Sequence, residues 1–407
     1  VRFALVTTFF GPHRFGGDAA YVERLAAALL ARGHQVEVFW SEDAFRATRG
    51  RRSPLEYAPP PGLVTHPLRT TLPRVAALAV HQTGGLGPYR RRIVTSLRTG
   101  GFDVVHLHNV SLVGGAELLG LEVPGAVRVM TVHEHWLACP LSVRWRFGRE
   151  ACPEPACVRC SILAARPPQA WRWTGRLAAA FRSLDAVIFP SDSSLAAHRD
   201  RGVAHPHSIV LPYFVPDQWL APVPGGRDRA ACVFVGRLVK EKGLQEVITL
   251  FRERPALRLD VVGDGPYRSA LEQQARGMAN VRFLGAVAAA EIPAVLGGAL
   301  AVLVPSLFPE TLCYVVLEAW SQGVPVLVSP AGALPGLVAG GGGHVCRDRE
   351  AFAARIDRWI QHPGEAAACG AAGRLRCSAE FGEQAHVDRL IAAIEERRQG
   401  RAGSERP

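Results

Sequence analysis

Residues 305–324 read PSLFPETLCYVVLEAWSQGV, and the fold turns on how this stretch is read. An apolar strand candidate, 299–304, runs into a loop marked by Pro305 and Ser306, and a helical pattern begins near Thr311. Leu312, Val315, Val316 and Ala319 recur at helical spacing and would face a core, with Glu318 and Gln322 off that stripe. Glu310 lies in the loop and Glu318 about two turns on, which at helical rise separates them by about 12 Å along the axis. Between them fall the unsatisfied N–H groups of a helix start, which attract phosphate. A carboxylate, an anion-binding helix end and a second carboxylate suit a ligand with hydroxyls at both ends and a diphosphate between them. A nucleotide sugar is such a ligand. Against this stands a plain surface helix carrying two solvated glutamates.

Working outward, 407 residues are most simply two domains, because single cores seldom exceed about 250–300 residues. No run of eighteen apolar residues occurs, so no membrane-spanning helix is expected. The first residues, Val1 to Val6, read as a buried strand rather than a signal peptide. The chain is then expected in a reducing, cytoplasmic setting, with a peripheral contact at the inner membrane face. The net charge is +11 and comes from arginine; the only lysines are Lys240 and Lys242. Ammonium and guanidinium differ as phosphate partners, so two lysines confined to one loop draw notice.

The N-terminal half alternates strand and helix. A strand at 2–8, a loop holding Gly16 and Gly17, a helix to Arg32 and a strand at 35–39 open a doubly wound domain. Residues 41–100 read as loops around one or two helices, and Arg90-Arg91-Arg92 as a solvated helix face. His106 and His108 end the next strand, and His133 follows the strand at 126–132. Ligands of parallel sheets sit outside such carboxyl ends; a histidine capping backbone is the plainer alternative. Cys139, Cys152, Cys157 and Cys160 have the count and short spacing of a structural zinc site, with a redox pair or unconnected thiols as alternatives.

In the second half, strands are expected at 231–236, 257–263, 281–284, 299–304, 324–328 and 343–346. Gly236-Arg237-Leu238 leads to Lys240 and Lys242 beside a helix start, where cations neutralise a diphosphate. Gly263-Asp264-Gly265 ends the following strand in a tight turn and is weak as a dinucleotide fingerprint. The domains fall at 1–210 (with a Cys-rich insert at 139–160) and 229–380. A linker at 211–228 joins them, and 381–407 forms a crossover helix and tail, loose from Arg401 onward.

In their order, Gly236-Arg237-Leu238, Lys242-Gly243, Gly263-Asp264-Gly265-Pro266, Leu284-Gly285 and the span from Pro305 through Glu310 to Glu318 resemble the donor domain of glycosyltransferase family 4. Gly16-Gly17, the 103–108 strand and Thr131 to His133 extend the resemblance over nearly the whole chain. It implies an α/β chain of the GT-B fold, two Rossmann-like doubly wound domains facing across a cleft, with the C-terminal helix packing back on the N-terminal domain. It further implies a retaining, metal-independent hexosyltransferase that moves sugar from a nucleoside-diphosphate donor, UDP-sugar favoured. The acceptor would be a hydroxyl in bacterial cell-surface glycan, glycolipid or natural-product synthesis. Glu310 and His133 would meet the sugar; Arg237 and Lys242 would hold the diphosphate and offset leaving-group charge. Glu318 would take the ribose, Leu312 and Cys313 would lend backbone N–H groups, and Gly17 would approach the phosphates. Gly236, Gly263 and Leu284 would complete the donor site, and Gly16 and His108 would border the acceptor. Thr311-Leu312-Cys313 departs from the Gly-Phe-Gly frequent in the family, and Glu134 replaces an Asp. No Asp-x-Asp occurs, so no catalytic cofactor is expected. A 2-epimerase of the same fold and a non-catalytic nucleotide-sugar binder are the alternatives. A nucleic-acid module is disfavoured, because the basic residues read as dispersed with few interleaved aromatics.

Overall fold

The computed structural model describes residues 1–49, 57–221 and 231–404. The chain divides into two compact units: Val1–Val143, Ala156–Pro212 and His386–Pro407 form the first, and Arg144–Pro155 with Tyr213–Ala385 the second.

The first unit is built on a parallel sheet of β1 (Arg2–Thr7), β2 (Gln35–Ser41), β3 (Val64–Leu68), β4 (Val104–Leu107), β5 (Val127–Thr131), β6 (Ala186–Phe189) and β7 (Ser208–Val210). Their order across the sheet is β3-β2-β1-β4-β5-β6-β7, the doubly wound arrangement expected. The central strands β4, β5 and β6 are buried throughout, as strands covered on both faces must be. β3 was not foreseen: it is an edge strand, half exposed, with Pro67 inside it, and proline is tolerated only where no ladder partner needs its N–H. Helices Glu42–Arg49, Pro73–Thr83 and Arg90–Thr99 occupy what read as loop-rich ground.

The second unit holds β8 (Ala231–Val235), β9 (Arg258–Val262), β10 (Val281–Gly285), β11 (Ala301–Val304), β12 (Val326–Val328) and β13 (Gly343–Val345), all parallel. Their order is β10-β9-β8-β11-β12-β13. Each strand lies within two residues of its expected position, since near-continuous apolar runs are the signature of buried parallel strands.

Three expectations are corrected, those on the hairpin, the linker and the tail from Arg401. The hairpin joining Trp145–Arg146 to Glu150–Ala151 groups with the second unit, not with the N-terminal domain. The supposed linker is packed at its start: Tyr213, Phe214 and Val215 are buried, the Tyr314 hydroxyl donates to Phe214 O, and Val215 N donates to Phe381 O at 3.0 Å. The rest of that linker, 222–230, lies outside the described residues. The last helix runs Glu383–Ser404, and from His386 it belongs to the first unit. At Arg401, where a loose tail was expected to begin, Nη1 donates to Ala126 O at 2.5 Å and lies 3.4 Å from an oxygen of Asp185; residues 405–407 of that tail lie outside the described ones.

Candidate active site

In the second unit, Glu310 and Lys242 come together. Glu310 is 6% exposed, and its Oε1 accepts from Lys242 Nζ at 2.7 Å and from the Ser306 hydroxyl at 2.6 Å. A carboxylate this deeply buried is stable only when paired and hydrogen-bonded. Lys242 also lies over the Phe308 ring, 5.0 Å from its centroid. The loop that carries Glu310 is clamped by backbone. Leu307 N donates to Glu241 O at 2.9 Å, Ala333 N donates to Glu310 O at 2.9 Å, and the Ser329 hydroxyl donates to Ser306 O. Two glycines permit this approach. A Cβ on Gly243 (φ +72°) would lie 1.8 Å from Pro305 O, and one on Gly332 (φ +61°) would lie 2.3 Å from Glu310 O.

The helix after this loop is Tyr314–Ser321, three residues later than expected, and all eight of its residues are buried. Leu312 and Cys313 immediately precede it, and Glu318, inside it, is 8% exposed. The surface-helix reading is thereby excluded. The separation reckoned along one helix axis also lapses, because Glu310 stands outside the helix. Burial pushes the Cys313 thiol up to about 12, so it stays protonated.

The other residues expected at the donor lie at the ends of β8 and β9 and on β10. Gly236 N donates to Val262 O at 3.0 Å, and Gly263 (φ +130°) passes so close that a Cβ would lie 1.9 Å from Gly236 O. Leu238 N donates to Asp264 O at 3.1 Å, which sets Arg237, partly buried, at the turn. Leu284 on β10 is 42% exposed.

In the first unit, His108 Nδ1 and His133 Nε2 are 3.0 Å apart, and His106 Nε2 is 2.8 Å from the Thr131 hydroxyl. Burial holds His106 and His133 at about 3 and His108 well below its ordinary value, so all three are neutral and one proton lies between His108 and His133. The Tyr21 ring packs on His133 at 5.0 Å. His386 Nδ1 faces Pro212 O at 2.8 Å and must donate, so its Nε2 accepts from the Tyr21 hydroxyl, also at 2.8 Å. Gly16 (φ +91°) caps helix Gly17–Ala31, and both glycines are exposed. Their turn is braced by Asp18, which accepts from Asn109 Nδ2 at 3.0 Å, while the Thr8 hydroxyl donates to Asn109 O at 2.9 Å.

No disulfide joins the four cysteines of the zinc expectation, and among the described residues no group of three or more His, Cys, Asp or Glu is placed to hold a metal ion. Cys157 and Cys160 sit on one short helix, Cys157–Leu163, while the Cys152 thiol contacts Glu154 O at 3.3 Å within the hairpin segment. Sequence reasoning missed Ser306, Gly332, Asp18, Asn109, Tyr21 and His386. Of these, only Ser306, at the carboxyl end of β11, carried a positional signal.

The doubly wound units, with a cation–carboxylate pair and Gly turns at strand ends, define a nucleotide-sugar class of α/β protein. The model of Glycosyltransferase Family 4 matches residues 15–219 and that of Glycosyl transferases group 1 matches 223–376. The chain belongs to glycosyltransferase family 4. MMP alpha-(1->4)-mannosyltransferase of Mycolicibacterium hassiacum is 26% identical, over 93% of this chain and 94% of that protein. The GDP-mannose-dependent alpha-mannosyltransferase of Mycolicibacterium smegmatis is 33% identical over 177 residues, 42% of this chain and 45% of that protein. Other relatives are matched over between 22% and 80% of their own length. Anabaena HepE in complex with UDP-glucose superposes with a TM-score of 0.69 at 16% identity, covering 97% of this chain and 99% of that one. Such neighbours show the fold, which is GT-B.

Proposed function

We propose that this chain is a retaining hexosyltransferase that moves sugar from a nucleoside-diphosphate donor to a hydroxyl acceptor without a metal. The buried Lys242–Glu310–Ser306 cluster carries the reading. A carboxylate whose Oε1 is already held by two donors keeps a second oxygen for sugar hydroxyls. Lys242, with Arg237 on the neighbouring turn, supplies the positive charge that a departing diphosphate needs. Retention follows if the departing phosphate takes the acceptor proton on the face from which it leaves. His133, neutral in its buried pocket, meets the sugar as a hydrogen-bonding group rather than as a cation. Glu318 takes the ribose. Relatives named for GDP-mannose support a mannosyl donor, so GDP-mannose ranks beside the UDP-sugars. The acceptor is a hydroxyl of a cell-surface glycan, a glycolipid or a natural product.

Thermal unfolding with GDP-mannose, UDP-glucose and dTDP-glucose should single out one donor, which at a hundredfold excess over Kd stabilises the fold by about 2.7 kcal/mol. With that donor and a hydroxyl acceptor, NMR of the new linkage should show the donor's anomeric configuration kept. Lys242→Ala and Glu310→Ala should each abolish transfer. Donor alone yielding an epimer, or both variants transferring at the normal rate, overturns the proposal.

A further inference from the structure

The charge of the chain is strongly segregated. Residues 57–102 contain six arginines and no Asp or Glu, and residues 155–184 contain five arginines and again no acid. These two segments account for the whole net charge of +11, leaving 36 basic against 36 acidic residues elsewhere. The arginines that read as dispersed are therefore concentrated in these two segments, where Arg90 pairs with Glu117 from outside them.

The same segments expose apolar side chains. Helix Pro73–Thr83 buries Ala76, Ala77 and Val80 and turns Val75 and Leu78 outward, with Leu72 just before it. Helix Cys157–Leu163 buries Ser161 and turns out Val158, Ile162 and Leu163, and Trp173 follows in the next turn. These seven side chains are between 45% and 63% exposed. The segments lie side by side: His81 O accepts from Trp171 Nε1 at 2.9 Å and from Gln169 Nε2 at 3.1 Å, and Gln82 Nε2 donates to Pro167 O at 3.3 Å. Arg69, Arg74, Arg159, Arg166 and Arg176, all exposed, alternate with the apolar residues along the chain.

We infer that this face of the first unit docks on an anionic lipid bilayer. Arginine among outward aliphatic side chains, with an exposed tryptophan, matches an interface where apolar groups enter the acyl boundary and cations meet lipid phosphates. A soluble polyanion would engage the arginines and leave the leucine, valine and isoleucine side chains wet. No described helix is long and apolar enough to cross a membrane, so the contact is peripheral. An acceptor carried by that bilayer would be brought to the enzyme along a surface, and donor chemistry does not depend on the contact.

Vesicle co-sedimentation of the full chain tests this, comparing phosphatidylcholine alone with phosphatidylcholine containing about a third phosphatidylglycerol, at about 0.1 M salt. The protein should bind the anionic vesicles and leave the neutral ones. Arg166→Gln should weaken partitioning about fivefold, and Ile162→Ser about tenfold or more. Brominated lipid should quench tryptophan fluorescence more in the unmodified chain than in Trp173→Phe. These positions are exposed, so circular dichroism and donor-induced thermal stabilisation should be unchanged. Absence of binding to anionic vesicles overturns the inference. Binding that Arg166→Gln weakens while Ile162→Ser and Trp173→Phe leave it untouched also overturns it, and assigns the face to a soluble polyanion.

Discussion

Replacing Gly332 by alanine tests whether the position of Glu310 matters. A Cβ at residue 332 would lie 2.3 Å from Glu310 O and 2.4 Å from Glu310 N, where about 3.3 Å is the nearest comfortable carbon–oxygen approach. The loop must therefore retreat by about 1 Å, straining the bond from Ala333 N to Glu310 O. The left-handed conformation (φ +61°) adds about 1–2 kcal/mol for a residue with a side chain, so the total loss of stability should be about 2–3 kcal/mol. A 1 Å displacement of a positioned group costs about a hundredfold in rate, or about 2.7 kcal/mol in the barrier. The assay is kcat/KM for sugar transfer at 25 °C, alongside urea unfolding. Gly33→Ala serves as control: its φ is +77°, but nothing lies within 4 Å of the added Cβ, so it should lose about 1 kcal/mol and no rate. If Gly332→Ala folds with unaltered stability and keeps kcat/KM within about threefold, the loop is not clamped as described, or Glu310 does not act where it stands.

A double-mutant cycle on the pair is the second test. Lys242→Met should destabilise by about 3 kcal/mol because it strands a buried carboxylate, and Lys242→Met with Glu310→Gln should cost at least about 1 kcal/mol less than the two singly. Additivity within about 0.5 kcal/mol would show the pair uncoupled. Glu23 supplies a pH test: burial raises its carboxyl from 4.5 to about 7, although Gly11 N (3.1 Å) and Arg14 (3.5 Å) both face it. The unfolded chain loses this proton first, so stability falls as pH rises from 4.5 to 7, by about 3 kcal/mol. Glu23→Gln should flatten that slope in urea midpoints taken across the window, and an unaltered slope would refute the assignment.

Strands could be read because a parallel strand covered on both faces leaves little but valine, leucine, isoleucine and alanine, as in AVLV at 301–304. Val64–Leu68 could not, since an edge strand with an inner proline looks like a turn. The same limit governs the site. Lys242 and Glu310 stood out by residue type, one of only two lysines and one of two spaced glutamates. Ser306 and Gly332 did not, because what they do is set by backbone brought close only in the folded unit.

The helix after Glu310 shows why an apolar stripe misleads at a site. Reading Leu312, Val315, Val316 and Ala319 as the buried face made Glu318 and Gln322 solvent-facing by construction. In the fold the helix is enclosed on every side, and both are buried: Gln322 Nε2 donates to Trp219 O at 2.8 Å, and Glu318 is 8% exposed. A polar residue at such a position carries a desolvation cost that an apolar one of similar size would avoid. Gln322 has a structural return, because it satisfies a buried carbonyl. In the proposed reaction Glu318 would take the ribose, a role that no apolar side chain could fill. An off-stripe carboxylate on a helix after a buried parallel strand is therefore not to be read as solubilising from the stripe alone. By the same reasoning, the arginines and aliphatic residues left outside on the first unit are better read as a surface made for contact.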